Sequence, residues 1–264
     1  MNRFTHATVL MAISVVLAAS GCQSMRNFTV FNTAQEQEFG KQITQEVETQ
    51  NKLITDPAVA GYVSMVGEKV AAKAERQDVD YTFKVIDSPQ EVNAFAVPGG
   101  AVYVYSGLLT RMKSESELAA VLAHEVAHID KRHSMAALTR QSGFELLTSV
   151  VFGEQTPAWQ SAAAGLVGNV TFLKFSREDE KQADAVGLNF MTNAGYDPQG
   201  MVNLLTMFTT LEATEPSAIQ SFLSSHPAPK ERIAIVKNLI QTENLQGGTV
   251  NASQYQAAVK SIRK

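Results

Sequence analysis

The chain has 264 residues, of which 45% are hydrophobic and 18% are charged, and this is enough to form one sizeable core in a single domain. A formal net charge of −4 argues against a nucleic-acid-binding protein, and a single tryptophan argues against an aromatic recognition surface. The lone cysteine, Cys22, excludes an intrachain disulfide.

The first residues have the pattern of a bacterial secretory signal. Arg3 gives a positive start, residues 7–19 form an apolar run, and small residues directly precede Cys22. Small residues before a cysteine resemble a lipobox, so we expect a lipoprotein signal peptide over residues 1–21 and lipidation of Cys22. Because Gln23 is not aspartate, the usual sorting rule predicts the outer membrane, facing the periplasm. The alternative is a secreted protein whose cysteine is incidental.

The first half of the mature chain is predicted to combine helices with a small sheet. Residues 22–33 have the character of an extended tether, and a helical pattern begins near Thr33. An aspartate-proline pair at residues 56–57 marks a second helix start. Residues 81–88 and 92–107 then alternate and are rich in β-branched and aromatic side chains, which predicts strands around a proline-glycine-glycine turn.

The second half is predicted to be helical. Ser114 has the position of an N-cap, with a glutamate three residues later, and Ser176 marks another helix start. Residues 242–264 predict a C-terminal extension with one weak helix. Helices gathered around one small sheet indicate a mainly helical α+β fold, with the compact domain over residues 34–241.

Two histidines four residues apart indicate a metal site. On a helix, positions i and i+4 differ by about 40° in direction and about 6 Å in rise, so His124 and His128 share a face. Glu125 points about 100° further round, where a carboxylate can stay off the metal and act as a general base on its water. An exposed helix with incidental histidines is the alternative. The apolar neighbours argue against it, because burying unpartnered imidazoles is costly.

A catalytic zinc site needs a third protein ligand. His133 lies about 140° from His128 on a continuous helix, so we exclude it as a ligand and expect a packing or supporting role. Glu180 and Asp184 share a face of a later helix. One of them could ligate the metal while the other accepts a hydrogen bond from a ligating histidine. A solvated, charged helix face is the competing interpretation.

Four segments, in this order, resemble the HtpX and CAAX-prenyl-protease family of zinc metallopeptidases, a gluzincin group, and in particular the protease domain of its periplasmic bacterial members. The segments are "NAFAVPGG" (93–100), "HEVAHIDKRH" (124–133), "SREDEKQAD" (176–184) and "SHPAPKERI" (225–233). The resemblance spans roughly residues 34–240. It implies a zincin-type domain, one zinc ion per chain held by His124, His128 and Glu180, and Glu125 as the general base.

The resemblance implies further roles around the zinc. Asp184 corresponds to the supporting acid, His133 to a recurrent histidine that is not a primary ligand, and Arg177 to a residue that braces the motif. His226 is implied near the zinc, either as a stabiliser of the oxyanion or as a resting occupant of the open metal position.

The resemblance also implies an edge strand beside the cleft, where an extended peptide could add as a further strand. Its substrate-binding residues would be Asn93, Ala94, Phe95, Ala96 and Val97. We therefore expect an endopeptidase for unfolded or misassembled envelope proteins, with envelope assembly proteins as further partners and no nucleic acid. The alternatives are a chaperone-like or assembly lipoprotein with a structural or plugged zinc site, and a zinc hydrolase of cell-wall amides. The role of the apolar segment 143–174 stays open.

Overall fold

The computed structural model describes residues 27–140 and 174–263. The predictions for the signal peptide, for lipidation of Cys22 and for almost all of the apolar segment 143–174 fall outside the described residues. Within the described ranges, every helix is too short or too polar to cross a membrane.

Ten helices and three strands make up the described chain, which confirms the mainly helical α+β fold. The helices are α1 (Thr33–Gln50), α2 (Tyr62–Ala71), α3 (Ser106–Arg111), α4 (Glu115–Asp130), α5 (residues 133–140), α6 (Arg177–Asn193), α7 (Gln199–Thr214), α8 (Pro216–Ser225), α9 (Pro229–Thr242) and α10 (Ala252–Ala258). The strands are β1 (Thr82–Ile86), β2 (Ala94–Ala96) and β3 (Ala101–Tyr105). A π-helical turn, Pro57–Gly61, leads into α2 at the predicted aspartate-proline start.

The sheet has the order β1-β3-β2, with β1 parallel and β2 antiparallel to β3. The predicted turn joins β2 to β3, and Gly99 and Gly100 both adopt positive φ there, which glycine tolerates without a Cβ clash. A Cβ on Gly40 of α1 would meet the Pro98 carbonyl oxygen at 1.7 Å, so α1 lies directly against this turn. The sheet is thereby fixed to the N-terminal helix.

Strand β3 is buried on both faces, which explains why its sequence is apolar throughout. Val102 and Val104 point into the main core, formed with α2, α4, α6 and α7. Tyr103 and Tyr105 point into a second core that contains residues of α1 and α5. The sheet therefore lies between the N-terminal helix and the helix that carries the histidine pair.

Helix α4 is buried along its whole length. Ser114 caps it by accepting from the Glu117 N–H, as predicted. The Glu117 carboxylate reaches the Lys113 N–H at 2.8 Å, one residue before the N-cap. Helix α6 crosses α4 closely, since a Cβ on Gly187 would lie 3.0 Å from the backbone of Ala123. This approach brings the acidic residues of α6 to the histidines of α4.

The C-terminal segment packs onto the domain. Helix α10 buries Tyr255, whose hydroxyl donates to the Leu109 carbonyl at 2.6 Å, and Val259 lies in the same core. Helix α10 lies within residues 242–264 and packs beside the start of α4. Among the described residues, this segment shares the main core.

Candidate metal centre

The two histidines of α4 converge as the i, i+4 spacing predicts. The Nε2 atoms of His124 and His128 lie 3.1 Å apart, and both rings are buried. Helix α6 brings Glu180 to the same point, with one carboxylate oxygen 3.5 Å from His124 Nε2 and the other 3.4 Å from His128 Nε2. The competing interpretation of Glu180 as part of a solvated face is wrong, because its side chain is fully buried.

A fourth group completes the cluster. His226, at the end of α8, places Nδ1 3.0 Å from a Glu180 oxygen and 3.4 Å from His124 Nε2. One ligand atom from each of His124, His128, Glu180 and His226 lies within 4.8 Å of all the others. The close pairs span 3.0–3.5 Å, and a tetrahedral zinc site with bonds of about 2.0–2.1 Å has ligand–ligand edges of about 3.3–3.4 Å. The donor set fits one divalent metal ion.

The charges of the centre also fit a divalent cation. Three buried carboxylates, those of Glu125, Glu180 and Asp184, face the buried guanidinium of Arg232. Arg232 donates to Asp184 at 2.6 and 2.7 Å and also to Glu180. Before any histidine is protonated, two negative charges remain, and buried charges that stay unpaired are expensive. A divalent cation would neutralise them.

The electrostatics divide the two histidines. Burial and the Arg232 charge lower the pKa of His124, but Glu180 and Asp184 outweigh both and raise the pKa to about 9. Burial lowers the pKa of His128 well below its ordinary value. Burial alone would raise the pKa values of Glu180 and Asp184, but the Arg232 charge holds both below their usual range. Both carboxylates are therefore ionised at neutral pH, as metal coordination requires.

Each α4 histidine has a partner behind it. His124 Nδ1 lies 3.1 Å from an Asp184 oxygen, which is the arrangement proposed for the supporting acid. His128 Nδ1 lies 2.9 Å from His133 Nδ1, so His133 contacts a ligand candidate from the side away from the cluster. His133 Nε2 in turn lies 2.8 Å from the Gln182 side-chain oxygen. Both histidines thus direct Nε2 inward.

Glu125 differs from the other acids of the centre. Its side chain is fully buried, and neither carboxylate oxygen has a hydrogen-bond partner among the residues that the structure describes. His226 Nε2 lies 3.7 Å from one of these oxygens. A buried carboxylate with no donor is costly unless another group, such as water, binds there. This position is the one a general base beside a metal centre requires.

The segment carrying His226 is constrained by its sequence. The His226 ring stacks on Phe222 with centroids 4.7 Å apart. Ala228 follows between two prolines and adopts a left-handed conformation at φ 60° and ψ 51°, which is unfavourable for a residue with a Cβ. The histidine is thus held at the cluster by the end of α8 and by a stiff connection to α9.

Two further sequence predictions have different outcomes. Arg177 lies on the exposed surface, where its guanidinium pairs with Glu231 of α9 at 3.0 and 3.2 Å. The structure therefore gives Arg177 no contact with the ligand set, and any bracing acts between α6 and α9. Of the five residues predicted for substrate binding, Ala94–Ala96 form the edge strand β2 next to α4, and Asn93 and Val97 flank it. All five are buried, and α8 covers the start of this edge.

Arg232 belongs to the centre and was not predicted from the sequence. It belongs to the "SHPAPKERI" segment and contacts Glu180, Asp184 and His124. A signal was present, because an arginine lies three residues after Pro229, on the face of α9 that also buries Val236. A cation on a buried helix face requires acidic partners, and Glu180 and Asp184 were the acids already grouped on one face.

The chain is similar to known metallopeptidases. A sequence model of peptidase family M48 matches residues 57–240. The beta-barrel assembly-enhancing protease of Yersinia pestis is 30% identical over 215 residues, covering 77% of this chain and 43% of that protein. The mitochondrial metalloendopeptidase OMA1 of Schizosaccharomyces pombe is 36% identical over 182 residues, covering 65% of this chain and 50% of its own length. The metalloprotease YcaL of Escherichia coli is 29% identical over 192 residues, covering 69% and 73%.

The chain spans less than half the length of the beta-barrel assembly-enhancing proteases that it matches. The match to the family covers more than half of this chain and includes every residue of the buried cluster. The predicted resemblance is confirmed, and the chain belongs to peptidase family M48, a family of metallopeptidases.

Proposed function

We propose that this chain is a zinc-dependent endopeptidase that hydrolyses peptide bonds in unfolded or misassembled proteins of the bacterial envelope. One observation carries the proposal: a buried group of two imidazoles and a carboxylate lies beside Glu125, a buried carboxylate that has no hydrogen-bond partner within residues 27–140 and 174–263. A structural metal site would not need that carboxylate.

His124, His128 and Glu180 would hold the zinc, since nitrogen and carboxylate ligands at these separations suit zinc coordination. When bound there, zinc would supply a Lewis acid for the scissile carbonyl and would lower the pKa of water. Asp184 orients the His124 ring through Nδ1, and Arg232 neutralises part of the carboxylate charge. These contacts support a rigid ligand set.

Glu125 is the general base in this proposal. Its free oxygens accept a proton from the attacking water as the new C–O bond forms at the scissile carbon. The carboxyl group then gives that proton to the amide nitrogen as the C–N bond breaks, and Glu125 returns to its ionised form. Burial excludes competing water from the carboxylate and strengthens its interaction with the substrate.

His226 has a resting role in this proposal. Its Nδ1 stands within 3.4 Å of both His124 and Glu180 atoms, so it occupies the fourth ligand position that a catalytic site leaves open. Substrate can bind only when this imidazole withdraws. The alternative role, as a donor to the oxyanion, would require Nε2 to turn from Glu125 towards the substrate.

The substrate would add to the edge of β2. The Val97 N–H donates to the Ala101 carbonyl and the Tyr105 N–H donates to the Asn93 carbonyl. Because hydrogen-bonded positions alternate along an antiparallel pair, the backbone groups of Ala94 and Ala96 point away from β3. Helix α8 covers this edge at its start, because the Val92 N–H donates to the Ala218 carbonyl at 2.8 Å and Asn93 contacts Ser221. The helix that ends at His226 therefore also covers the edge. Its withdrawal would open the edge and the fourth ligand position together.

The relatives support the choice of substrate class. Several are named beta-barrel assembly-enhancing proteases, and this name supports our proposal of protein substrates and of assembly proteins as partners. An edge strand selects extended segments, and folded proteins rarely present them. We place a signal peptide at residues 1–21 and a tether at residues 22–33, with a lipid on Cys22 that anchors the chain in the outer membrane. The protease unit then spans residues 34–241 and is followed by the C-terminal extension. The proposed location is the periplasm.

Replacing Glu125 with glutamine tests the proposal. The variant keeps the side-chain shape and cannot take a proton from water, so zinc content should match wild type while cleavage of unfolded casein falls at least about a hundredfold. Glu212→Gln is the matched control, because it makes the same change at an exposed position of α7. Casein cleavage by Glu125→Gln at the wild-type rate would overturn the proposal.

The closed four-ligand group also fits a second candidate, a non-enzymatic lipoprotein with a structural or plugged metal site. His226→Ala separates the two. The peptidase proposal expects zinc to be retained and casein cleavage to be at least as fast as in wild type. The structural alternative expects zinc loss and no cleavage. Peptidoglycan fragments assayed in parallel test the cell-wall amidase alternative. The peptidase proposal expects that these fragments are not cleaved.

A further inference from the structure

We propose that Gln182 is a positioning residue that fixes the proton of His128 on Nδ1, acting through His133, so that Nε2 stays free to bind the metal. This inference rests on the proposed metal site and extends it to a residue two positions beyond the ligand Glu180. The observation behind it is a continuous row of side-chain contacts that runs outward from the cluster.

The row has three members. His128 Nε2 faces the cluster, while its Nδ1 lies 2.9 Å from Nδ1 of His133. His133 is buried, and its Nε2 lies 2.8 Å from the side-chain oxygen of Gln182. The two imidazoles meet edge to face, with centroids 4.9 Å apart and planes at 74°. Their nitrogen atoms are therefore held in one relative orientation.

In this row of side chains, the donor or acceptor role of one nitrogen atom determines the role of the next. A metal-binding Nε2 must carry no proton, so the neutral His128 must carry its proton on Nδ1. That Nδ1–H can only donate to His133 if His133 Nδ1 is an acceptor. His133 must then carry its own proton on Nε2, where it needs an acceptor. The Gln182 oxygen is that acceptor.

The opposite polarity would block the site. A donor at position 182 would make His133 Nε2 accept, so His133 Nδ1–H would donate to His128 Nδ1. The His128 proton would then move to Nε2 and point at the cluster, where it would oppose metal binding. The side chain at 182 therefore needs an acceptor, and its hydrogen-bond polarity matters more than its size.

Helix α6 thus serves both histidines. Asp184 lies 3.1 Å from His124 Nδ1 and accepts directly, whereas Gln182 accepts from His133 and so acts on His128 through one intervening ring. The proposed ligand Glu180, the relayed acceptor Gln182 and the direct acceptor Asp184 follow one another in this order along α6. One helix turn therefore supplies a metal ligand and fixes the ring orientation of the other two.

Two substitutions of opposite polarity test the inference. Gln182→Glu offers only acceptor oxygens, and Gln182→Lys offers only donors. Zinc affinity would be measured by competition with a chromophoric chelator, and cobalt substitution would report the ligand set by its visible spectrum. We expect Gln182→Glu to bind zinc within about threefold of wild type and Gln182→Lys to bind it about 10- to 100-fold more weakly, as changes behind a ligating histidine do.

Asn189→Lys is the control, because it adds the same charge at an exposed position of the same helix. Equal zinc affinities for Gln182→Lys and Asn189→Lys would overturn the inference while leaving the metal site intact. A wild-type chain that binds no zinc would instead overturn the proposed function.

Gln182→Met keeps the test valid if the lysine variant does not fold. Nitrogen NMR of the imidazoles should show His128 protonated on Nδ1 in wild type, and a mixture of tautomers in Gln182→Met. A wild-type His128 protonated on Nε2 would contradict the inference.

Discussion

Removing Arg232 should destabilise the metal-free protein strongly and the zinc-bound protein less. Its guanidinium donates to Asp184 at 2.6 and 2.7 Å and also to Glu180, and all three side chains are buried. Arg232→Met fills a similar volume but leaves two buried carboxylates without their cation. Breaking a buried ion pair by removing one partner costs about 3–5 kcal/mol.

This loss of unfolding free energy can be measured as a fall in melting temperature. At roughly 2–4 °C per kcal/mol for a domain of this size, metal-free Arg232→Met should melt about 6–20 °C below wild type. Added zinc should reduce the difference in melting temperature between wild type and Arg232→Met, because zinc supplies positive charge to the same carboxylates. Differential scanning fluorimetry with chelator and with zinc measures both values.

Arg177→Met is the matched control. Arg177 is also on an ion pair, but that pair is exposed, so its loss should cost about 0–1 kcal/mol. If the two variants melt within 2 °C or so of each other in chelator, the buried charge balance proposed for the centre is wrong.

Four further outcomes follow from other contacts of the structure. The pKa of His124 is raised to about 9, so zinc must displace the proton of His124 at neutral pH. Competition with a chelator should show that zinc affinity rises about tenfold per pH unit and levels off above about pH 9. A zinc affinity that stays constant between about pH 7 and 9 would contradict the raised pKa. The same proton stabilises the metal-free fold fully below about pH 6.5, and this contribution should fade as pH rises through the folded pKa. Gly187→Ala places a Cβ 3.0 Å from Ala123 and His124 backbone atoms. Urea unfolding should show that the free energy of unfolding falls by about 1–3 kcal/mol. An unchanged urea midpoint would mean that α4 and α6 can move apart without cost. Tyr255→Ala removes a fully buried ring and its hydrogen bond to the Leu109 carbonyl. We expect the free energy of unfolding to fall by about 3–5 kcal/mol. A fall of less than about 1 kcal/mol would show that the C-terminal segment does not belong to the fold.

The fold was predictable where local patterns determine it. The alternating segments became the strands around the glycine turn, and Ser114 and Ser176 cap their helices. Helical periodicity alone placed His124 and His128 together, because their separation depends only on the rise and turn of one helix. These features require no knowledge of how distant segments pack.

The remaining parts of the centre depend on packing between helices. The residue pattern alone left Glu180 undecided between a ligand and a solvated face, and only the resemblance implied a ligand. The close crossing of α4 and α6 at Gly187 buries Glu180 beside the two histidines. Arg232 lies 108 positions from His124 along the chain and reaches it because α9 packs against α6. Arg177 was assigned by resemblance, and the solvent-facing side of α6 carries it away from the cluster. The periodicity of the sequence gives no information about such distances between residues of different helices.

A crystal structure of the zinc-loaded chain, with data collected on both sides of the zinc absorption edge, tests the proposed metal site most directly. We predict one anomalous peak per chain, about 2.0–2.1 Å from the Nε2 atoms of His124 and His128 and within bonding distance of a Glu180 oxygen. A peak that lies elsewhere, or a zinc ion whose ligands exclude Glu180, would contradict it.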